Sequence, residues 1–365
     1  MAADLPIHSD DLHQQPIERA ETIPSAWYTD PAMEEAEREV IFSKEWQLVC
    51  HESQIPEAGD MHTTTIAGNP ILLVRTTERG IQAFYNVCRH RGGPLAVKQG
   101  SRTVLQCRYH GWTYLSDGSL RGVPQFDHVE LFDKKDFGLT PVNLRSWQGL
   151  LFVSLAEEPR PFGDIVEGIS ERITPISLNE FSFHKRVTYD VACNWKVYVD
   201  NYLEGYHLPI VHPELATLLD YRQYVTETAR WYSLQHSPFK SAGDDNIYGA
   251  EDGEAYYYFI WPNFMLNILP GRMQTNIVEP MAPDACRVIF DYFYTDLENA
   301  LSSGKAADDM AYSDKIQEED MEICERVQEG LSSNAYDKGR FSVKREQGVY
   351  HFQSLLKKCF REALH

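Results

Sequence analysis

Two short pairs of cysteine and histidine constrain this 365-residue chain more than any other feature of its sequence. Cys88 and His90 form a Cys-x-His pair, and Cys107 and His110 form a Cys-x-x-His pair. Two thiolates and two imidazoles suit either a zinc ion or a two-iron, two-sulfur cluster in which two histidines replace two cysteines on one iron. We therefore expect residues 88–110 to fold as two loops that face each other around a metal.

The spacing within the pairs favours the cluster over zinc. Zinc knuckles usually leave about two to four residues between like ligands, whereas Cys88 and His90 differ in type and are separated by one residue. That spacing is suitable if each loop gives its cysteine to one iron and its histidine to the other. Gly92, Gly93 and Gly111 allow the backbone to turn tightly near the sulfides. Zinc remains the alternative on ligand type.

The two pairs together resemble the Rieske motif of the ring-hydroxylating and related non-haem iron oxygenases. The electron-transport Rieske proteins carry two further cysteines, which form a disulfide across these loops. Gly93 and Tyr109 occupy those places here, so that disulfide cannot form. The resemblance, which extends from about residue 25 to the C-terminus, points to the oxygenase branch.

The pattern of apolar residues divides the chain into a β-rich part and a mixed part. Residues 157–161 have the composition of a linker between the two. We expect an N-terminal segment at 1–45 that packs with the catalytic domain, a Rieske [2Fe–2S] domain at 46–160, and a mononuclear iron domain at 161–365. The resemblance implies an α+β fold class, with a small all-β cluster domain and a catalytic domain of the helix-grip type, in which helices flank an antiparallel sheet.

Periodicity predicts the elements that carry the candidate sites. The predicted strands cover residues 71–75, 82–87, 150–154 and 287–294. The predicted helices cover residues 31–46, the segment from 195 onward, 311–331 and 349–363.

Charge and cysteine usage limit the partners and the location. A net charge of −20 argues against a nucleic-acid partner. The seven cysteines show no disulfide framework, which suits a reducing cytoplasm. No apolar run of about 18 residues predicts a membrane span, and residues 1–6 lack the features of a signal peptide. An acidic surface suits a partner with a basic docking face.

A second candidate metal site follows Asn194, which is suited to cap a helix. Helical geometry places Glu204 and His207 on one face, for which a solvated polar face is the alternative interpretation. Pro209 cannot continue the helix, so we expect the chain to bend and bring His212 toward His207. Two neighbouring histidines need one carboxylate to make the 2-His-1-carboxylate face that binds Fe(II).

This second motif also resembles the mononuclear iron motif of the same oxygenases. In that family the acidic residue three positions before the first histidine is not a ligand, but bridges to a cluster histidine of the neighbouring subunit and relays electrons. Here that residue is Glu204, the candidate catalytic residue. Most of the family has aspartate there. A glutamate resembles the subgroup that acts on quaternary ammonium compounds, which includes choline, carnitine and glycine betaine oxygenases.

The third iron ligand should be a carboxylate on the buried face of the later helix. Asp320 projects from the centre of the apolar stripe of that helix, where an acid is costly unless it is paired or bound to metal. The segment from Asp320 to Leu331 also resembles the family segment that supplies the ligand. A neighbouring acid at the edge of the stripe is the alternative.

The resemblance implies a terminal oxygenase that carries a [2Fe–2S] cluster and mononuclear Fe(II) and uses O2. The chain has no Gly-x-Gly-x-x-Gly motif, so electrons from NAD(P)H must arrive through a separate flavin and iron–sulfur reductase. The expected assembly is a homotrimer in which the cluster of one subunit faces the iron of the next. The expected substrates are small quaternary ammonium compounds, which would be hydroxylated, N-demethylated or cleaved.

Two other functions are open at this point. An aromatic-ring hydroxylase or O-demethylase acting on an aromatic acid uses the same iron chemistry. A ferredoxin-like electron carrier belongs to another class, although the length of the chain beyond residue 160 argues against it. The aromatic residues at 256–259 and 261 either enclose an ammonium group by cation–π attraction or form the core of a strand.

Overall fold

A computed structural model of the chain describes residues 5–102, 104–218, 220–238 and 254–364. The chain forms two compact units. The first, which we call the cluster unit, is Phe42–Arg160, and the second, the catalytic unit, combines Met1–Ile41 with Pro161–His365. None of the helices in the described ranges has the length and apolar character needed to cross a membrane.

The cluster unit is built from short antiparallel strands. They are β1 (Gln47–His51), β2 (Asp60–Ile66), β3 (Asn69–Arg75), β4 (Ile81–Tyr85), β5 (Gly100–Ser101), β6 (Leu105–Gln106), β7 (Thr113–Tyr114), β8 (Leu120–Gly122), β9 (Asn143–Trp147) and β10 (Leu150–Ser154). They form three sheets with the orders β1-β10-β9, β4-β3-β2-β5 and β6-β7-β8. Short 3-10 helices lie at Glu52–Gln54 and Lys134–Phe137.

The strand β3 shows why these segments fold as they do. Its residues Ile71, Leu72, Leu73 and Val74 are completely buried, because the two faces of the strand contact two different hydrophobic cores. β-branched and aliphatic residues pack well on such a surface. The core that contains Leu72 also contains Cys88 and Cys107, so the candidate metal loops are anchored on the sheet.

The catalytic unit is organised around one antiparallel sheet of seven strands. They are β11 (Ser182–Val191), β12 (Val225–Thr228), β13 (Tyr232–Pro238), β14 (Glu254–Ile260), β15 (Phe264–Leu269), β16 (Arg272–Ala282) and β17 (Ala285–Tyr294). Their order is β11-β17-β16-β15-β14-β13-β12, and every neighbouring pair is antiparallel.

The α-helices described by the structure belong to this same unit. They are α1 (Ala26–Thr29), α2 (Pro31–Glu37), α3 (Ile169–Ile173), α4 (Trp195–Tyr202), α5 (Leu208–Val211), α6 (Leu215–Leu218), α7 (Leu297–Ser302), α8 (Lys305–Leu331) and α9 (Gln347–Leu364). Further 3-10 helices lie at Ser9–Leu12, Phe162–Asp164 and Leu178–Glu180. The α+β fold class is therefore confirmed.

Aromatic packing joins the helices to the sheet. The Phe352 ring of α9 makes edge contacts with Trp195 of α4, at 5.6 Å between centroids, and with Phe259 of β14, at 5.4 Å. All three side chains are at most 1% exposed. Such aromatic pairs contribute about 0.5–1.5 kcal/mol beyond the area they bury. They fix α4, the helix that leads into the second candidate metal site.

Two predicted helices have different limits in the structure. The prediction of a helix over 31–46 is wrong in extent, because α2 ends at Glu37 and a single π-helical turn, Arg38–Phe42, follows. The side-chain amide of Gln47 donates a hydrogen bond to the Phe42 carbonyl, which satisfies the end of that turn. The helix predicted at 311–331 begins earlier, at Lys305, directly after Gly304 in the left-handed region with φ +82°.

Residues near the N-terminus pack against the C-terminal part of the same unit. The Ile23 amide donates a 2.9 Å hydrogen bond to Gln353 Oε1 of α9. Lys338 Nζ forms an ion pair of 2.5 Å with Asp11. The compact unit includes the N-terminal residues up to Ile41, whereas the sequence-based division ended the segment at 45.

Candidate metal centres

The two loops of the cluster unit have the same backbone geometry. In the first, the Cys88 amide donates to the Gly93 carbonyl at 2.8 Å, and the Gly92 amide donates to the Cys88 carbonyl at 3.0 Å. In the second, the Cys107 amide donates to the Trp112 carbonyl at 2.9 Å, and the Gly111 amide donates to the Cys107 carbonyl at 3.0 Å. Each loop is therefore a tight turn that begins at its cysteine.

Glycine is required in both turns. Gly92 and Gly111 have φ values of +74° and +76°, in the left-handed region that residues with a Cβ rarely adopt. Gly93 is required for a different reason, because a Cβ at this position would lie 2.8 Å from Cys107 Sγ. The first loop thus lies directly against the sulfur of the second, as two facing loops around a metal require.

The four predicted cluster residues come together with suitable donors. Cys88 and Cys107 are each 2% exposed, and the His90 and His110 rings lie 4.6 Å apart between centroids. His90 Nδ1 is buried and has no hydrogen-bond partner among the described residues. A buried nitrogen without a partner is costly, and binding to a metal removes that cost. The residues therefore fit a cluster bound by two thiolates and two imidazoles.

A tyrosine hydroxyl lies beside one of the cluster sulfurs. Tyr114 Oη is 3.3 Å from Cys88 Sγ, and it accepts a 3.0 Å hydrogen bond from the Arg89 amide. The hydroxyl proton is thus available to the sulfur. Burial and the neighbouring Cys88 sulfur raise the pKa of Tyr114 above its usual range, so the hydroxyl stays protonated. Hydrogen bonds to the sulfurs are one determinant of a cluster's reduction potential.

We expect Tyr114→Phe to lower the reduction potential of the cluster, because the reduced cluster loses a hydrogen bond that stabilises its extra negative charge. A redox titration followed by visible absorption measures the shift. Tyr109→Phe is the matched control, because it also removes a tyrosine hydroxyl, five positions earlier in the chain, from a residue that is 59% exposed. An equal potential in the wild type and in Tyr114→Phe would show that the hydroxyl does not act on the sulfur.

The second group of donors is formed by a break between two helices. Asn194 caps α4 as predicted, since its side-chain oxygen accepts a 3.0 Å hydrogen bond from the Lys196 amide. The helix ends at Tyr202, and α5 begins at Leu208 with His207 as its N-cap residue.

The predicted role of Pro209 is wrong in detail. Pro209 does not end the first helix, but occupies the first turn of α5, where a proline costs no hydrogen bond. The bend therefore occurs earlier, between Tyr202 and Leu208. The two histidines still approach each other as expected, because α5 is a single short turn. The centroids of the His207 and His212 rings lie 5.1 Å apart.

Asp320 of α8 completes the group. Asp320 Oδ1 is 2.9 Å from His212 Nε2 and 3.8 Å from His207 Nε2. The side-chain amide of Asn201, on α4, donates a 2.6 Å hydrogen bond to the same oxygen. One oxygen and two imidazole nitrogens thus converge on a single point. This is the donor set of a 2-His-1-carboxylate iron site, and the residues fit that ion.

Each of the two histidines forms a hydrogen bond to a carboxylate through its Nδ1 atom. Glu204 Oε1 is 2.7 Å from His207 Nδ1, and Glu319 Oε2 is 2.6 Å from His212 Nδ1. With Nδ1 engaged in this way, both rings present Nε2 toward Asp320. Burial lowers the pKa of His212, but the hydrogen bonds and charges of Asp320 and Glu319 outweigh burial and raise it above its ordinary value.

The sequence did not reveal the role of Glu319, because helical geometry places it about 100° from Asp320, away from the centre of the stripe. Its side chain nevertheless reaches His212, which lies beside the helix. The signal that could have identified it was an acid directly next to the ligand candidate, since metal-bound histidines almost always have a second hydrogen-bond partner of this kind.

We expect Glu319→Ala to weaken iron binding at this site by about 10–100-fold, because His212 loses the partner that orients its ring. Iron titration of the stripped protein, followed by analysis of the bound metal, measures the change. The matched control is Glu322→Ala, which removes an exposed carboxylate from the same helix. Equal affinity in both variants would exclude an orienting role for Glu319.

A cavity of about 140 Å³ lies against this site within the catalytic unit. Glu204, His207, His212 and Asp320 contribute to its wall. Its aromatic lining comes from Tyr198, Tyr202, Tyr224, Tyr257, Phe290 and Tyr312. Of the aromatic residues singled out in the sequence at 256–259 and 261, Tyr257 reaches the cavity, whereas Tyr258, Phe259 and Trp261 are core residues at most 1% exposed.

Models of two known domain families match the two parts of the chain that carry these sites. A model of the Rieske [2Fe–2S] domain matches residues 45–133, and a model of the ring-hydroxylating alpha subunit catalytic domain matches residues 178–362. The chain belongs to this family of Rieske non-haem iron oxygenases. It is an enzyme, and its cofactors are a [2Fe–2S] cluster and mononuclear iron, which excludes the structural zinc protein and the ferredoxin-like carrier.

Characterised relatives are oxygenases of small ammonium compounds. The chain is 35% identical over 355 residues to choline monooxygenase of Arabidopsis thaliana, and the match covers 93% of this chain and 83% of that protein. It is 31% identical over 359 residues to the carnitine monooxygenase oxygenase subunit of Escherichia coli K12, and that match covers 94% of this chain and 95% of that protein.

Solved structures show the same fold. The quaternary ammonium Rieske monooxygenase CntA in complex with L-carnitine superposes with a TM-score of 0.84 at 29% identity, over 95% of this chain and 99% of that chain. Naphthalene 1,2-dioxygenase from Rhodococcus superposes with a TM-score of 0.77 at 20% identity, over 93% of this chain and 94% of that chain. The second likeness concerns the fold alone.

Proposed function

We propose that this chain is the terminal oxygenase component of a system that oxidises a small quaternary ammonium compound with O2. The observation that carries the proposal is the 140 Å³ cavity, because its wall combines the converging His207, His212 and Asp320 side chains with six aromatic rings. The known activities of the choline and carnitine monooxygenase relatives support the same substrate class.

Seven residues would hold the two metal groups. Cys88 and Cys107 would bind one iron of the cluster, and His90 and His110 would bind the other. His207, His212 and Asp320 would bind the mononuclear Fe(II). When bound, the cluster supplies single electrons, and the mononuclear iron supplies open positions for O2.

The aromatic wall of the cavity suits a cation. The Glu204 and Asp320 carboxylates of the wall would balance the two positive charges of a bound Fe(II), so no excess positive charge would remain beside the substrate. Among the described lining residues, the permanent cation is Arg272, which is paired at 2.5 Å with the buried Asp309 carboxylate. An ammonium group gains about 0.5–2 kcal/mol from each aromatic face it contacts. The cavity would therefore hold the cationic end of the substrate near the iron ligands.

The uncharged polar groups of the wall would position the rest of the substrate. Tyr202 donates a 2.6 Å hydrogen bond to Asn267, and the Gln274 amide donates a 2.8 Å hydrogen bond to Asn276. This network orients amide groups along the wall, where they can bind a hydroxyl or carboxylate oxygen. A substrate with a methylated ammonium at one end and an oxygen function at the other fits both parts.

The reaction inserts one oxygen atom of O2 into a C–H bond of the bound compound, and two electrons from the reductase with two protons reduce the other oxygen atom to water. On an N-methyl group the product is a hemiaminal, which releases formaldehyde and leaves the demethylated amine. On a carbon next to nitrogen, the same insertion leads to cleavage of the C–N bond. On a carbon away from nitrogen the hydroxylated compound is the final product.

Electrons would come from a separate reductase and pass between subunits. The sequence shows no nicotinamide-binding glycine motif, which supports an external flavin and iron–sulfur reductase fed by NAD(P)H. Inter-subunit electron transfer is described for the related quaternary ammonium monooxygenase. This supports a homotrimer in which electrons pass through Glu204 from the cluster of a neighbouring subunit to the mononuclear iron. Glu204 already contacts His207 within the chain. The cysteine pattern supports a cytoplasmic location.

A substrate panel tests the proposed function. The purified protein with both metals is supplied with a Rieske-system reductase and NAD(P)H and offered choline, L-carnitine, γ-butyrobetaine, glycine betaine and benzoate-type acids. We expect O2 uptake and formaldehyde or an oxidised product with at least one ammonium compound. Stimulation by an aromatic acid alone would replace the proposal with the aromatic hydroxylase or O-demethylase.

A further inference from the structure

Three cysteines converge in the catalytic unit at a place that the iron sites do not use. Cys193 Sγ is 3.9 Å from Cys286 Sγ, and the Cys324 thiol lies close enough to affect the pKa of Cys193. The three side chains are at most 1% exposed. They lie 93 and 38 positions apart along the chain, so the fold alone brings them together.

The trio lies where α4, α8 and the turn between β16 and β17 meet. Asn194, which follows Cys193, caps α4 and donates a 2.9 Å hydrogen bond to the carbonyl of Pro283, in the turn before Cys286. The backbone amide of Asn194 donates a second hydrogen bond, also of 2.9 Å, to the side-chain oxygen of Gln328 on α8. Cys324 itself is one helical turn beyond Asp320.

A cavity borders one cysteine of the trio. Cys324 contributes to the wall of this second cavity, of about 550 Å³, which Glu204 and His207 also line, whereas Cys193 itself is completely buried. The hydrogen bonds from the Cys286 and Cys324 thiols lower the pKa of Cys193 below the usual range of a cysteine. The thiolate form of a cysteine is the one that reacts with peroxides and disulfides. Cys193 therefore has the character of the attacking sulfur, with a second thiol in contact.

We propose that Cys193 and Cys286 form a thiol redox site, which hydrogen peroxide converts reversibly into a disulfide. The Cys193 sulfur attacks one peroxide oxygen and breaks the O–O bond, which gives a sulfenic acid and releases the other oxygen as water after it takes up a proton. The Cys286 sulfur then attacks Cys193, displaces the sulfenic oxygen as a second water and loses its own proton. Two thiols are oxidised by two electrons, and one peroxide is reduced to two waters.

The site is chemically distinct from a structural disulfide. In a reducing compartment, disulfides are usually transient and belong to redox-sensing or catalytic pairs. Closing the 3.9 Å gap to a bond of about 2 Å requires the two sulfurs to approach each other. Because Cys193 is next to Asn194, a shift of Cys193 would act on the start of α4. The thiol chemistry is independent of which substrate the enzyme oxidises.

Peptide mapping tests the proposal on the intact enzyme, because trypsin separates the three cysteines into the peptides 187–196, 273–287 and 316–326. The protein with both metals is treated with a small molar excess of hydrogen peroxide, alkylated, and digested without reductant. We expect mass spectrometry to find 187–196 linked to 273–287. We also expect the loss of two titratable thiols per chain, reversed by dithiothreitol.

Single serine variants identify the pair. Cys324→Ser is the matched control and is expected to form the same link, whereas Cys286→Ser should leave Cys193 as a sulfenic acid that dimedone traps. Circular dichroism and cluster absorption show that each variant is folded. A link between 187–196 and 316–326 would overturn the assignment of the pair. Unchanged thiols and no linked peptide in the wild type would overturn the redox site itself.

Discussion

Replacing Asp320 with alanine is expected to remove the mononuclear iron and abolish substrate oxidation, while the cluster stays intact. Asp320 Oδ1 faces both His212 Nε2 and His207 Nε2, at 2.9 and 3.8 Å, so its loss leaves two ligands from short neighbouring segments. Two imidazoles alone do not make the facial donor set that holds Fe(II). The cluster ligands belong to a different compact unit and do not depend on this carboxylate.

Iron content, visible absorption and turnover are compared in Asp320→Ala and in the control variant Glu318→Ala. Glu318 is an exposed carboxylate on the same helix, two positions before the proposed ligand, and its removal should leave all three quantities unchanged. The expected iron content of Asp320→Ala is two per chain instead of three, with turnover below detection. Full iron retention in this variant would show that another acid completes the site.

Replacing Glu204 with glutamine is expected to leave both metal groups in place and to slow electron delivery by about 100-fold, which corresponds to about 2.7 kcal/mol of barrier. Glu204 Oε1 lies 2.7 Å from His207 Nδ1, and Glu204 also accepts hydrogen bonds from the Tyr206 and His207 amides. Glutamine keeps the size of the side chain but removes its charge. The substitution therefore alters electron transfer to His207 without removing an iron ligand.

A single-turnover measurement separates electron delivery from reduction of the cluster. The cluster is first reduced chemically, and its reoxidation by O2 and substrate is then followed by stopped-flow absorption. The matched control is Glu214→Gln, an exposed carboxylate that pairs with Lys315. Reoxidation at the wild-type rate in Glu204→Gln would exclude the bridging role. Loss of the mononuclear iron would instead assign Glu204 to holding His207.

Local spacing in the sequence selected the cysteine and histidine donors of both candidate centres. The cysteine and histidine pairs lie within single turns, and His207 and His212 are the N-cap and C-cap of the one-turn helix α5, so short-range geometry brings each pair together. Asp320 was selected by helical periodicity, and its helix is long and strongly patterned.

Features that depend on contacts between distant segments could not be derived in this way. The aromatic lining of the cavity combines residues from α4, β14, β17 and α8, and their approach is set by the seven-stranded sheet. The orientation of His212 depends on Glu319, more than a hundred residues away. In each case contacts between distant segments determine a feature that local helix or strand propensity does not determine.

The central claim is that one chain holds two separate iron centres, a [2Fe–2S] cluster in the cluster unit and a mononuclear iron in the catalytic unit. Metal and acid-labile sulfide analysis of protein purified without air tests this claim most directly. The account predicts three irons and two sulfides per chain, with the red-brown absorption of a histidine-ligated cluster. Colourless protein that is fully loaded with zinc and contains no sulfide would contradict it.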